Sequence, residues 1–318
     1  MGHAEVVRQL GGIKRCAGLM IDAALVALLS LALAAYLWRN GEVFIGIGST
    51  GAVYLPLDKH VTIIGPTRSG KTTLARKIAR RSGRKALVID WNGEYGIGPK
   101  IRASRLKLNI SNLNKKILAE LIGISLNLNE PSIYFLYRSI KDQKIERPRD
   151  LLEAIDSYLT TTKSETEMKA AILRRLEYIL DAMDKGKIPL EFIIKYNGNL
   201  IIDLSELSLV EEKILIISLI LTFIYNKFRN MSITKDIKLL LIIDEAQNII
   251  GLNIIRHIIT EMAKYGIRVV MVTNVIPPED MLAHTNIVLV KPHISYRFNI
   301  NNSSIIINDK TIKIYKFI

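Results

Sequence analysis

Short apolar runs recur along the chain, each bounded by polar or turn-forming residues. They are Val61-Thr62-Ile63-Ile64, Ala86-Leu87-Val88-Ile89, Leu200-Ile201-Ile202, Leu239-Leu240-Leu241-Ile242-Ile243, Val269-Val270-Met271-Val272 and Ile287-Val288-Leu289-Val290. Runs of this length without polar alternation predict strands buried on both faces. Residues 74–79 and 210–228 carry helical spacing, and the long, largely apolar second stretch is suited to covering a sheet. Strands alternating with helices imply an α/β fold with a mainly parallel sheet. Residues 43–48 and 53–55, with Ser-Thr-Gly between them, read as a short hairpin. Residues 304–307 and 311–316 flank Asn308-Asp309-Lys310 as another.

Two regions depart from this rhythm. Residues 101–199 hold helical spacing at 117–124, 151–159 and 168–183 and no strong buried run, which predicts an all-helical insertion. Residues 17–38 are almost uniformly apolar, with Asp22 as the only charge and Tyr36 and Trp38 at the far end. That length spans a bilayer as a helix, with aromatic rings suited to the interface. The other readings are a signal peptide, against which stand the length and the lack of a clear small-x-small cleavage site, and a buried core helix, which would be unusually apolar on every face. The expected organisation is a polar tail over 1–15, a transmembrane helix over 16–38 and a hairpin linker over 39–58. The sheet domain follows in two parts, 59–100 and 200–318, around the insertion 101–199.

Charge adds a partner. Of 44 basic and 30 acidic residues, three basic and two acidic lie before Arg39, so +13 of the +14 net charge belongs to residues 39–318. Such a surplus suggests a polyanion, nucleic acid first, or a solvated basic surface. Cys16 is the only cysteine, so the chain has neither a disulfide framework nor a cysteine-based metal site.

The chemistry starts where the first buried run ends. Gly65-Pro66-Thr67-Arg68-Ser69-Gly70-Lys71-Thr72 has the P-loop spacing between a strand and a helix. Its glycines let backbone N–H groups face phosphate oxygens, and the helix N-terminus favours an anion. Lys71 is placed to reach the β- and γ-phosphates and Thr72 to ligate Mg²⁺, with Thr73 completing the nucleotide-binding set. Asp244-Glu245 closes the run 239–243, the Walker B position of P-loop ATPases. The aspartate organises Mg²⁺ and the glutamate polarises the attacking water. Glu94, in Asp90-Trp91-Asn92-Gly93-Glu94-Tyr95, and Asn274, after the run 269–272, are further candidates near the γ-phosphate, since strand ends of an open α/β sheet converge on the ligand. The three basic residues of the tail favour a cytoplasmic N-terminus. The need for ATP outweighs them and places the large domain in the cytoplasm beneath a single-pass span of the cell membrane.

Taken together, these motifs resemble the HerA/FtsK superfamily and the type IV secretion coupling ATPases. The resemblance runs over residues 59–300 through His60 to Thr72, Asp90 to Tyr95, Asn199 to Ser205, Ile243-Asp244-Glu245-Ala246-Gln247-Asn248, Lys264-Tyr265-Gly266 and Pro277-Pro278-Glu279-Asp280. It implies a RecA-like ATPase that assembles as a ring, usually a hexamer, and pumps DNA. Asn274 stands where the family has a sensor glutamine. Thr260-Glu261-Met262-Ala263 replaces a run containing the family's arginine fingers, which leaves Arg256, Lys264 and Arg268 as trans-acting candidates. A membrane segment stands where HerA has a β-barrel, which points to DNA transfer or import across a membrane with channel proteins as partners. A genome-packaging or virion-assembly ATPase is the alternative within enzymes, and a nucleotide-binding scaffold without turnover is the alternative outside them. The basic residues Arg76, Lys77, Arg80, Arg81, Arg84 and Lys85 either line a DNA channel or form a solvated face.

Overall fold

The apolar runs become strands whose successive side chains enter two different cores. In the computed structural model, which describes residues 25–30, 41–48, 51–108, 110–183, 186–292, 303–307 and 310–316, Leu87, Ile89, Leu239, Leu241, Ile243, Val269 and Met271 belong to one buried cluster. Ala86, Val88, Leu240, Ile242, Val270 and Val272 belong to the other. Side chains alternate between the faces of a strand, so a strand covered on both sides is apolar along most of its length.

The strands are β1 (Glu42–Gly48), β2 (Gly51–Pro56), β3 (His60–Ile64), β4 (Ala86–Asp90), β5 (Lys100–Arg102), β6 (Leu106–Lys107), β7 (Ile188–Pro189), β8 (Leu200–Asp203), β9 (Leu239–Ile243), β10 (Ile267–Thr273), β11 (Thr285–Pro292), β12 (Ser303–Ile307) and β13 (Lys310–Lys316). Eleven of them form one sheet in the order β2-β1-β13-β12-β11-β3-β10-β9-β4-β8-β5. From β11 to β5 every pairing is parallel. From β11 outward to β2 every pairing is antiparallel.

The helices are α1 (Lys71–Arg81), α2 (Lys115–Ser125), α3 (Glu130–Ile140), α4 (Pro148–Ser157), α5 (Lys163–Met183), α6 (Leu190–Lys195), α7 (Val210–Arg229), α8 (Asn253–Glu261) and α9 (Glu279–Leu282). Helix α1 lays Leu74, Ala75, Ile78 and Ala79 on one face of the sheet beside Val43, Ile45, Val53 and Leu55 of the β1–β2 hairpin. Helix α7 covers the other face with Leu215, Ile216, Leu219, Ile220 and Ile224.

Two sequence expectations are corrected. The segment 39–58 is more than a linker, because β1 pairs with β13 and the hairpin becomes the end of the main sheet. That pairing joins residues more than 250 positions apart, which no local pattern announces. The insertion is not all-helical. Lys100–Arg102 adds a strand beside β8, and β6 and β7 pair as a separate two-stranded ribbon. In β5 only Ile101 is buried, and the ribbon strands have two residues each, too little to leave a periodic signal. Of the expected span 16–38, residues 25–30 are described, as helix, with Leu25, Val26, Leu28 and Leu29 exposed. The rest of it lies outside the described residues, among which no helix is long and apolar enough to cross a membrane.

Candidate active site

Parallel strands present all their carboxyl ends on one edge, and the register makes several of them level. Ile64 pairs with Thr273, Met271 with Ile243, Ile89 with Ile243, and Asp90 with Asp203. The segments 65–72, 90–95, 203–205, 244–248 and 274–278 therefore all leave the sheet along that edge.

The 65–72 loop turns tightly around its own backbone. Arg68 and Gly70 have φ of 65° and 99°, the left-handed region that reverses the direction of successive N–H groups. Ser69 N–H donates to the Pro66 carbonyl at 3.2 Å, and Gly65 N–H donates to Thr273 at 3.3 Å, anchoring the loop to β10. A Cβ at Gly65 would lie 2.4 Å from the Val290 carbonyl oxygen and 2.7 Å from Ser69 Oγ, so only glycine fits. The Lys71 ammonium donates to Pro66 at 2.9 Å, across the loop. Helix α1 starts on Gly70 with no side-chain cap and no acid in its first turn. Its terminal N–H groups thus face the loop without a competing carboxylate. Ser69 Oγ is buried without a hydrogen-bond partner among the described residues. An uncapped helix start, inward-turned amides, a lysine and an orphaned hydroxyl fit a polyphosphate. Pro66, Thr67, Arg68 and Thr73 are exposed, and Thr72 is half-buried on the first turn.

Carboxylates stand beside this cradle. Asp244 is buried, and its N–H donates to the Ile89 carbonyl at 3.1 Å. Burial, then the charges of Glu245, Asp90 and Glu94, push its carboxyl up to about 7. A divalent cation would relieve that repulsion, and Asp244 with Thr72 forms the oxygen-only donor set suited to Mg²⁺ shared with phosphates and water. Among the described residues no group of three or more His, Cys, Asp or Glu side chains could hold a metal alone. Glu245 is half-buried with φ 48° and ψ 43°, an uncommon conformation for a residue with a side chain.

The structure gives Asp90 a positioning job that its place at a strand end did not disclose. Its buried carboxylate accepts from the N–H groups of Gly93, Glu94 and Tyr95 at 2.9, 3.1 and 2.8 Å. Lys100 donates to the Gly93 carbonyl at 2.6 Å and Lys213 to that of Trp91 at 3.0 Å. The fastened loop exposes Glu94 and buries Tyr95. Burial, then the nearby charges of Asp244 and Asp90, hold the Tyr95 hydroxyl in its neutral form. An acid at a strand end followed by glycine is the signal that could have found this turn.

Asn274 is exposed immediately after β10, where Thr273 Oγ1 accepts from Val275 N–H at 3.1 Å and closes the turn. The trans-acting candidates divide. Arg268 lies near the opposite end of β10 and donates to the carbonyls of Leu57, Ala263 and Ile267 at 2.9, 2.8 and 3.3 Å. Its guanidinium is therefore engaged within the chain and unsuited to reach another subunit. Arg256 is exposed and pairs with Asp280 at 3.1 Å, and Lys264 is exposed with its ammonium 5.3 Å from the Tyr265 ring centroid. An exposed pair of this kind holds weakly.

Most of the basic cluster around α1 is internal fastening. Arg76 lies over the Tyr95 ring, Arg80 donates to Gly96, Arg81 donates to Phe44 and stacks on its ring, and Lys85 donates to Ile194. These four join α1 and its exit to neighbouring segments.

A family model described as "Helicase HerA, central domain" matches residues 49–224. No curated protein sequence matches the chain. Among solved structures, VirB4 of Thermoanaerobacter pseudethanolicus superimposes with a TM-score of 0.63 at 12% identity over 87% of this chain and 96% of that one. The bacterial conjugative coupling protein TrwB in an unbound form gives 0.56 at 13% identity over 88% and 82%. TrwB in complex with ADP and Mg²⁺ gives 0.57 at 13% identity over 88% and 84%. At these identities the superpositions establish a shared fold.

Proposed function

Because the chain belongs to the family of the HerA helicase central domain, we propose that it is an ATP-hydrolysing motor for DNA transfer, anchored in a membrane through residues 16–38 and working as a ring, a hexamer by analogy with its family. The observation that carries the ATPase reading is the convergence of the Gly65–Thr72 loop, Asp244-Glu245, Glu94 and Asn274 on one sheet edge, held level by the register of β3, β10, β9 and β4. TrwB, which shares the fold, is described with ADP and Mg²⁺. That supports the same pair as substrate-site occupants here.

In this reading the loop amides and the Lys71 ammonium bind the β- and γ-phosphates. Mg²⁺, when bound, neutralises phosphate charge, and Thr72 and Asp244 hold it. Glu245 accepts a proton from the water that attacks the γ-phosphorus as the bond to the β,γ-bridging oxygen breaks, releasing ADP and phosphate. Asn274 donates its amide to the γ-phosphate and couples its loss to β10. Arg256 or Lys264 of a neighbouring copy reaches the same phosphate. The +13 charge of residues 39–318 supports a DNA partner.

The test is ATP turnover by the purified full chain, with and without unrelated duplexes and single strands, over a range of salt. The motor reading expects stimulation by DNA that rises with protein concentration and binding that falls linearly on a log–log plot against salt. Turnover indifferent to DNA at every concentration would leave an ATPase without the motor. No turnover would leave the scaffold. Resistance to carbonate extraction from membranes tests the anchor separately.

A further inference from the structure

Past Asp244 the chain does something a strand end does not require. Glu245 takes a left-handed conformation, Ala246–Asn248 follows as a single 3₁₀ turn, and Asn248 N–H closes it onto the Glu245 carbonyl at 3.1 Å. Ala246 is buried, which fixes the turn next to Glu245 in the core. The Glu245 carboxylate, on its two-carbon stem, has one side-chain partner among the described residues. Gln247 Nε2 donates to Glu245 Oε2. The other end of that amide, Gln247 Oε1, is buried and accepts no hydrogen bond among the described residues.

A half-buried amide with an unpaired acceptor is disfavoured relative to a satisfied one. A leucine would fill the position without that penalty. The glutamine side chain is justified by the end that is used, its N–H on the carboxylate. An amide is rigid and planar, so seating its N–H on Oε2 also fixes which carboxylate oxygen is left to face a water molecule.

We infer that Gln247 is the positioning residue for Glu245, holding one carboxylate oxygen so that the other is presented to the attacking water. The inference rests on Glu245 acting as the base. Gln247 touches neither nucleotide nor water in this role and acts wholly through its neighbour. Its loss must therefore appear in the chemical step rather than in nucleotide binding.

The experiment measures kcat and KM for ATP in the full chain and in Gln247→Leu, Gln247→Met, Gln247→His and the double variant Glu245→Gln/Gln247→Leu. Gln247→Met keeps the length of the side chain, carries no charge and lacks the donor, which guards against a packing defect in Gln247→Leu. Thermal melting of each variant reports folding. The expected result is a fall in kcat of about tenfold or more for the leucine and methionine variants, with KM within about twofold. Gln247→His, which keeps an N–H donor, retains most of the rate. The double variant is no slower than Glu245→Gln alone, because a residue that acts through Glu245 has nothing left to position. Unchanged kcat in folded Gln247→Met, or losses that multiply in the double variant, overturns the inference while the ATPase reading stands. A wild-type chain that does not hydrolyse ATP removes both.

Discussion

Helix starts in the insertion and at the sheet edge are built in opposite ways. In the insertion, Asn114 Oδ1 accepts from Lys116 N–H at 2.8 Å and Asn129 Oδ1 from Ser132 N–H at 3.1 Å. Asp150 reaches back to the N–H groups of Glu146 and Arg147 at 2.8 and 2.9 Å. At the sheet edge α1 begins on Gly70 with no cap, and α8 begins on Leu252 with no cap. The non-glycine residues with positive φ at this edge are Arg68 and Glu245. The buried atoms there without a partner among the described residues include Ser69 Oγ, Tyr95 OH and Gln247 Oε1. Those three starts in the insertion are capped from within it, while the edge leaves α1 uncapped and Ser69 Oγ without a partner among the described residues. A capped helix N-terminus is worth about 1 kcal/mol, and α1 forgoes that in order to present its amides.

The largest expected effect comes from removing charge at the uncapped end. Lys71→Ala should abolish measurable ATP turnover, a loss on the order of 10²-fold or more, with the fold intact by circular dichroism. Glu245→Gln should keep nucleotide binding and lose hydrolysis. Native-rate hydrolysis in Glu245→Gln would move the base to Glu94.

Gly65→Ala comes next and joins the two kinds of site. Its methyl would meet the Val290 carbonyl at 2.4 Å, a backbone atom that cannot step aside alone. The variant should lose about 1–3 kcal/mol of stability and bind nucleotide more weakly. A native melt with native affinity would mean that the loop is less constrained than its packing indicates.

A smaller and pH-dependent effect belongs to the start of the same strand. His60 is buried, its Nδ1 accepts from Val269 N–H at 2.9 Å, and burial, then the Arg268 charge, lowers it to about 4. The folded chain therefore binds a proton less readily than the unfolded one. Stability is fully present above the ordinary value near 6.5 and is lost as pH falls from there through about 4. Asp244, pushed up to about 7, acts with the opposite sign in both chains, so in denaturant melts the difference isolates His60. Relative to His60→Asn, which keeps an acceptor for Val269, wild type should lose stability as pH falls between those limits. Parallel curves would remove His60 as the cause.

The smallest effect is in the insertion. Asn129→Ala should cost about 1 kcal/mol and leave kcat and KM unchanged. A changed kcat would show that the insertion is coupled to the nucleotide edge.

Much of the fold was legible because a strand buried on both faces cannot carry a polar residue without showing it. Ala86 to Ile89, Leu239 to Ile243 and Val269 to Val272 are such stretches. The nucleotide loop was legible because glycine spacing, lysine and hydroxyl stand next to one another in the chain. Asp244-Glu245 was legible as acids closing an apolar run. Less could be read where the partner is distant or the element short. Strand β5 has one buried residue, β1 finds β13 across the whole chain, and Arg268 has the form of a trans-acting arginine until its carbonyl partners are seen.

Local order along the chain thus determined the strands, the helix that follows the loop and the row of residues able to meet a phosphate, because those depend on spacing within a few residues. The tertiary structure decided which cations are fasteners, which carboxylates share one field and which amide holds the glutamate. Those outcomes depend on burial and on distances between segments, and two sequences with the same local pattern can differ in both.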